Sequence, residues 1–386
     1  MKVIVKNARI VNPLSETYGS IEIENGIVRA VGQVDDSDAG EMGIDAEGRL
    51  ALPGFIDVHI QGAGGSDVLD AEADALNRIS RVCTRFGVTG FLATTIYRPN
   101  GENKHIPNVA ECAKKDVEGA QILGIHIEGP FISKERRGMI HPSAVADPSI
   151  SLFEKILEES QGELRMMTIA PELCGASSII DRMLANRIIP SFGHSSANYE
   201  QALDAFKMGV SHVTHLFNAM QPMHHRSPGP IPAILESTHV TAQIISDGIH
   251  IHPAMIRLVA NNLGEERCMT ITDGVRALGL PDGVYEYDER EFTASGGVAR
   301  YYDGTLVGTT LGMNELGKRF LNFTGWGLKA LVRITSWNPA KLLGLEKSKG
   351  TIETGKDGDI VILNNDLSVW MTLVTGRVVY NQSGGR

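Results

Sequence analysis

The sequence predicts an α/β protein built on a closed (β/α)8 barrel, with further β structure at both ends of the chain. Three observations carry this. The 386 residues suffice for a full barrel and a modest extra layer. Over residues 51–349, apolar strand-like blocks alternate with helix-period segments, as a parallel sheet with crossover helices requires. The two ends read instead as strands and turns.

The first fifty residues open with the β-rich run Val3–Val11. Ser20–Val31 follows as two runs broken at Asn25-Gly26, a strong hairpin signal. Gly350–Leu363 places Lys356-Asp357-Gly358-Asp359 before the apolar run Ile360–Leu363, and Trp370–Tyr380 turns at Gly376. The spacing therefore divides the chain into a smaller β domain from residues 1–50 and 350–386, and a barrel from 51–349.

Eight blocks are candidate barrel strands: Ala51–Ile60, Val88–Ile96, Gln121–Ile127, Leu164–Ala170, Ile188–Phe192, His212–Leu216, Val240–Ile245 and Met269–Thr272. Leu76–Phe86, Leu152–Glu159, Tyr199–Met208 and Pro253–Asn262 have helical periodicity between them. Val275–Asp303 breaks the rhythm and reads as an inserted hairpin, after which Asn314–Phe323 and Gly327–Leu343 return to helix. A doubly wound open sheet is the structural alternative, but no G-x-G-x-x-G follows the first strand.

Composition narrows the function classes. With 42% hydrophobic and 21% charged residues the chain reads as a globular enzyme, not a disordered segment. No apolar run approaches the roughly 18 residues of a membrane span, and the polar start Met1–Asn7 does not read as a signal peptide, so a cytoplasmic protein is expected. A net charge of −10 opposes a nucleic-acid or anionic-membrane surface while leaving room for a small basic pocket. Cys83, Cys112, Cys174 and Cys268 lie far apart and are expected to be reduced, mostly core residues.

Residues at the carboxyl ends of parallel barrel strands converge on one mouth. His59 ends the first block, Glu128 follows the third, His194 the fifth, His215 lies in the sixth and Asp273 follows the eighth. Glu128 stands between Ile127 and Gly129-Pro130, and a carboxylate in that apolar setting needs a metal or an ion-pair partner. Glu128, His194 and His215 supply one carboxylate and two imidazoles, a set suited to zinc or another borderline divalent ion with one position left for water. Asp273 precedes Gly274, where an Asp alone is a turn former; beside such an ion it has the chemistry of a general base.

Leu52-Pro53-Gly54-Phe55-Ile56-Asp57-Val58-His59 resembles the first-strand signature of the amidohydrolase superfamily. Five further motifs resemble, in chain order, those of the N-acetylglucosamine-6-phosphate deacetylase family: His126-Ile127-Glu128-Gly129-Pro130-Phe131, Gly193-His194-Ser195, Thr214-His215-Leu216-Phe217-Asn218-Ala219-Met220, Asp247-Gly248-Ile249-His250 and Thr272-Asp273-Gly274. The resemblance implies a TIM barrel with a small β-sandwich built from both termini. It implies a metal held by Glu128, His194 and His215, with Asp273 as acid and base. It also implies sugar-phosphate binding by Asn218, the Ala219 backbone, Arg226 and His250, the Arg and His coming from the neighbouring subunit of a homodimer or dimer-based homotetramer. Arg226 lies in the Pro/Gly-bounded loop His224-His225-Arg226-Ser227-Pro228-Gly229; His224 and His225 read as loop residues.

Two departures stand out. Superfamily members with two metals carry His-x-His at the first strand end, where this chain has His59-Ile60-Gln61. Gln is a poor ligand beside imidazole, so one metal per chain is expected, zinc first with iron, manganese and cobalt as alternatives, and His59 and Gln61 as at most a weak second site. In Arg137-Gly138-Met139-Ile140-His141-Pro142, the family's sugar-side His falls by register on Ile140, with His141 one residue late.

The expected activity is hydrolysis of the acetamide of an N-acetyl amino-sugar 6-phosphate, with the gluco epimer first and N-acetylgalactosamine 6-phosphate as competitor. A hydantoinase-, dihydroorotase- or deaminase-like enzyme is opposed by the absence of a recognisable bridging-lysine strand and by the Asn-Ala-Met…Arg motif. A non-catalytic sugar-phosphate-sensing barrel would have no need of Asp273 as a proton carrier.

Overall fold

The computed structural model of the protein describes residues 1–33 and 42–382. Residues 34–41 and 383–386, which belong to the segments expected to form the smaller β domain, lie outside the described residues.

Eight parallel strands form the barrel: Phe55–Ile60, Val88–Thr95, Gln121–Glu128, Leu164–Ile169, Ile189–Phe192, His212–Val213, Thr241–Ile244 and Cys268–Thr270, each paired with its successor. A parallel bridge between Ile60 and Gly274 closes the ring, reinforced by the Asp273 N–H donating to the His59 carbonyl at 2.9 Å. Outside it lie helices whose apolar faces explain their placement. Tyr199–Lys207, for example, buries Ala202, Ala205 and Phe206. Its start is set by a capping box in which Asn198 and Gln201 each accept the other's backbone N–H at 2.9 Å.

The first predicted strand is two strands in the structure. Leu50–Pro53 pairs antiparallel with Ile360–Leu363 in the terminal sheet, and the barrel begins only at Phe55. Gly54 makes the joint. A side chain there would place its Cβ 2.1 Å from Thr89 Oγ1, so only glycine lets the chain cross between the two sheets. Most other strands stop one or more residues short of the prediction, whereas the third runs one residue further, to Glu128, and His212–Leu216 keeps only two strand residues. Sequence periodicity did not reveal helices His105–Ala113, Ala176–Ala185 and Ile231–Glu236. Gly327–Leu343 is interrupted by a π turn over Arg333–Trp337.

The terminal strands form a β-sandwich around Val3, Val5, Ile21, Ile23, Ile360 and Ile362, among others. Its central strand Lys2–Val11 pairs with Glu16–Glu24 on one edge and with Met42–Asp45 and Leu50–Pro53 on the other, which bends the sheet over its own core. The predicted inserted hairpin is larger than expected. Gly283–Tyr287, Arg290–Ser295, Val298–Arg300 and Leu306–Thr309 make a four-stranded antiparallel sheet with its own core, including Tyr287, Phe292 and Tyr301. Among the described residues no helix is long and apolar enough to cross a membrane.

Candidate metal centre and active site

Where the third, fifth and sixth barrel strands end, three ligand-type atoms converge. Glu128 Oε1 lies 2.9 Å from His194 Nε2 and 2.8 Å from His215 Nε2, and the two nitrogens are 3.1 Å apart. All three residues are buried. Their backbones show how the sequence aims them: Glu128 ends its strand before Gly129, while His194 and His215 adopt φ of +48° and +27° just beyond theirs. Asp273 does the same at +45° after the eighth strand. Left-handed backbone at non-glycine residues costs energy and collects at functional sites.

The His194 tautomer follows from its neighbour. Its Nδ1 is 2.7 Å from the Arg136 carbonyl, an acceptor, so Nδ1 carries the proton and Nε2 presents a lone pair to Glu128. Two acceptors facing each other in a buried site fit a shared cation, and the donor set of one carboxylate and two imidazoles fits a divalent ion. Burial disfavours charge on Glu128, but positive charge on the neighbouring imidazoles, His59 first, holds its carboxyl well below the usual range, the place that a bound cation would take. Burial drives the His215 pKa down, favouring the neutral ligand form.

His59 completes the floor. Its Nε2 is 3.3 Å from Asp273 Oδ1 and 3.7 Å from Glu128 Oε2. Burial opposes its charge, yet these two carboxylates outweigh that and raise its pKa to about 9. Gln61 Nε2 donates to Asp273 Oδ1 at 3.3 Å, so His59 and Gln61 both face Asp273. Beneath them lies a buried polar layer in which His126 Nε2 meets Thr168 Oγ1 at 2.8 Å and Thr168 Oγ1 meets Thr214 Oγ1 at 2.8 Å. Burial keeps His126 neutral, its pKa well below the ordinary value.

A cavity of about 340 Å³ opens above this floor. Gln61, Glu128, His194, His215, Asn218, Ala219, His250 and Asp273 line it, so most of the residues singled out in the sequence meet in one place. His250, which the family resemblance assigned with Arg226 to the neighbouring subunit's site, instead lines the cavity of its own chain, fixed there by a 2.6 Å contact of its Nδ1 with Asp247 Oδ2. Asn218 Nδ2 donates to the carbonyls of His215 and Leu216, which secures the turn after the ligand-type His.

Arg226 and His141 do not line the cavity of their own chain. Arg226 is exposed, its Nη1 2.8 Å from His225 Nε2. His141 is exposed and turned onto Ser143, its Nδ1 2.7 Å from the hydroxyl. Ile140, at the register of the family's sugar-side His, is fully buried against Ile96, Ile132 and Ala144. The cavity wall at this loop is Gly138 and Met139.

Sequence reasoning missed Met139, and it missed Arg300 and Gly304–Val307 from the inserted sheet. The signal was present, since an insertion directly after the eighth strand of a barrel sits at the active face. It also missed Gln243, whose carbonyl oxygen lies 3.0 Å from His59 Nδ1 and accepts the His215 N–H at 3.2 Å. A lone polar residue inside the apolar block Val240–Ile245 was the available clue.

Comparison with known proteins places the whole chain in one family. Residues 50–379 match the Amidohydrolase family. The chain is 38% identical over 335 residues to the N-acetylglucosamine-6-phosphate deacetylase of Bacillus subtilis (strain 168), covering 86% of this chain and 85% of that one. It is 31% identical to the N-acetylgalactosamine-6-phosphate deacetylase of Escherichia coli O157:H7, covering 93% and 94% respectively. A solved mutant of the N-acetyl-D-glucosamine-6-phosphate deacetylase of Mycobacterium smegmatis, in complex with N-acetyl-D-glucosamine-6-phosphate, superposes with a TM-score of 0.90. That match has 30% identity and covers 98% of this chain and 99% of the other.

Proposed function

This chain belongs to the amidohydrolase family, and from that premise we propose that it hydrolyses the acetamide of N-acetylglucosamine 6-phosphate to acetate and glucosamine 6-phosphate. The observation that carries the reading is the convergence of Glu128, His194 and His215 beside Asp273 on the floor of one cavity.

Glu128, His194 and His215 would hold one divalent ion, zinc by the donor set. When bound, such an ion lowers the pKa of a water molecule and polarises a carbonyl oxygen. The chain's own groups do the rest. Asp273 accepts a proton from the water that attacks the acetamide carbon. As the C–N bond breaks, it returns that proton to the sugar nitrogen, so acetate and amine leave with atoms balanced. His59 and Gln61, both facing Asp273 Oδ1, hold that carboxylate toward the floor. Asn218, the Ala219 backbone and His250 line the wall suited to the sugar phosphate. In this reading the barrel that begins at Phe55 carries the chemistry, and the described terminal segments, with Leu50–Pro53 among them, form the smaller β domain.

We further assign Arg226 to the phosphate of a neighbouring subunit's substrate in a two-fold homodimer, or in a homotetramer built from such dimers. Its exposure outside its own cavity supports this, as does the apolar side chain of Met223, close by in sequence and 45% exposed. A phosphorylated substrate and four free cysteines suit the reducing cytoplasm.

Acetate release from the 6-phosphates of N-acetylglucosamine and N-acetylgalactosamine, measured side by side with zinc-reconstituted protein, tests the assignment. The gluco epimer is expected to give the higher kcat/KM. A higher value for the galacto epimer would transfer the assignment to that sugar, and release from neither would reject it.

A further inference from the structure

Charge is unevenly distributed around the cavity. Its floor carries the Glu128 and Asp273 carboxylates, and among the described lining residues only one Arg or Lys is present, Arg300. A dianionic phosphate is repelled by the floor, so a permanent cation on the wall is where such a group gains most. Arg226, assigned above to a neighbouring subunit's phosphate, lies outside its own chain's cavity, so Arg300 is the cation that each chain supplies to its own site, beside the one that the dimer would bring.

Arg300 is also uncommitted. Elsewhere on this face Arg276 is engaged by Asp70, while Arg290 pairs with Asp303 and stacks over Tyr301. Among the described residues the Arg300 guanidinium makes no ion pair, and its one hydrogen bond is a long one, 3.5 Å to the Gly304 carbonyl. That bond crosses the turn between strands Val298–Arg300 and Leu306–Thr309, so the side chain lies along the cavity-lining stretch Gly304–Val307. The turn is held by the Thr305 N–H donating to Asp303 Oδ1 at 2.9 Å, and the returning strand reaches Asp273, whose carbonyl accepts the Thr309 N–H at 2.9 Å. The inserted sheet thus connects Arg300 to the residue that carries the proton.

We propose that Arg300 is a substrate-contacting residue supplied by the same chain, its guanidinium donating to the phosphate of the bound sugar. This rests on the deacetylase reading and adds to it a determinant of phosphate specificity. With the phosphate drawn to Arg300 and away from the carboxylates, the acetamide at the other end of the substrate is left facing the floor. A guanidinium suits the task because it stays charged at all working pH values and can present two parallel N–H groups to one phosphate.

The test compares Arg300→Leu and Arg300→Lys with wild type on N-acetylglucosamine 6-phosphate and on unphosphorylated N-acetylglucosamine, each by acetate release. Arg300→Leu is expected to lower kcat/KM for the phosphorylated sugar by about 10- to 100-fold, mainly through KM. It should leave the value for the unphosphorylated sugar within about twofold, and Arg300→Lys should recover part of the loss. Inorganic phosphate should inhibit wild type competitively and the Leu variant more weakly. Equal losses on both sugars, or no loss on the phosphorylated one, would overturn the proposal while leaving the deacetylase assignment intact. Wild-type protein that releases acetate from neither sugar would remove that assignment and this proposal together. Arg300 is exposed, so the variants are expected to fold, and an unchanged circular dichroism spectrum establishes it.

Discussion

The carboxylate of Asp57, on the first barrel strand, accepts the Thr272 hydroxyl at 2.5 Å and the Thr272 backbone N–H at 3.3 Å, tying the first strand to the end of the eighth. Burial raises the Asp57 pKa to about 6 despite these bonds, so the clamp holds a carboxylate that is costly to keep ionised. Because Thr272 immediately precedes Asp273, the contact that closes the barrel also positions the proposed base.

Thr272→Val keeps the shape and removes the hydroxyl donor. A lost hydrogen bond to a buried charged group costs about 2–3 kcal/mol, which for a chain of this length lowers the thermal midpoint by about 3 °C. Differential scanning calorimetry at pH 7.5 checks this. An unchanged midpoint would show that the backbone N–H groups alone satisfy Asp57.

Glu128→Gln is expected to lose most bound metal while the fold persists, because hydrophobic packing holds the barrel together without the ion. Elemental analysis after gel filtration should read about one ion per chain for wild type and far less for the variant. Full occupancy in the variant would remove Glu128 from the ligand set, and two tightly held ions in wild type would bring His59 and Gln61 into it.

Asp273→Asn should retain metal and substrate binding and lower kcat by roughly 10²–10⁴-fold, the usual contribution of positioned acid–base catalysis. Steady-state kinetics separates this from a binding role, in which KM would rise and kcat would hold.

The shared-site assignment predicts complementation. Arg226→Ala and Asp273→Asn chains, each impaired as a homodimer, should form a mixed dimer in which the Arg226→Ala chain keeps its own Asp273 and receives Arg226 from its partner. Co-expression and separation of the mixed species should then recover roughly half of wild-type activity per dimer, if the sites act independently. No recovery in a dimer shown to contain both chains would place Arg226 in cis.

Much of this molecule is written locally. An apolar run that stops at Glu128, or just before His194 or Asp273, marks a strand end, and in a parallel barrel strand ends share one mouth. The convergence of these side chains on one floor was therefore legible in the sequence, as were the β-forming termini, whose apolar runs turn at Asn25-Gly26 and Gly376. Tertiary structure decided what local pattern does not encode. Ile140 packs into a core cluster while the adjacent His141 faces solvent and Met139 faces the cavity, a choice set by neighbours distant in sequence. Gly54 divides one apolar run between two sheets because Thr89 occupies the space a side chain would need. Arg226 and Arg300 are both loop- or edge-borne arginines in the sequence, yet only Arg300 reaches the cavity of its own chain. Periodicity reports which face of an element is apolar; where a turn aims a side chain depends on which distant strand lies beside it.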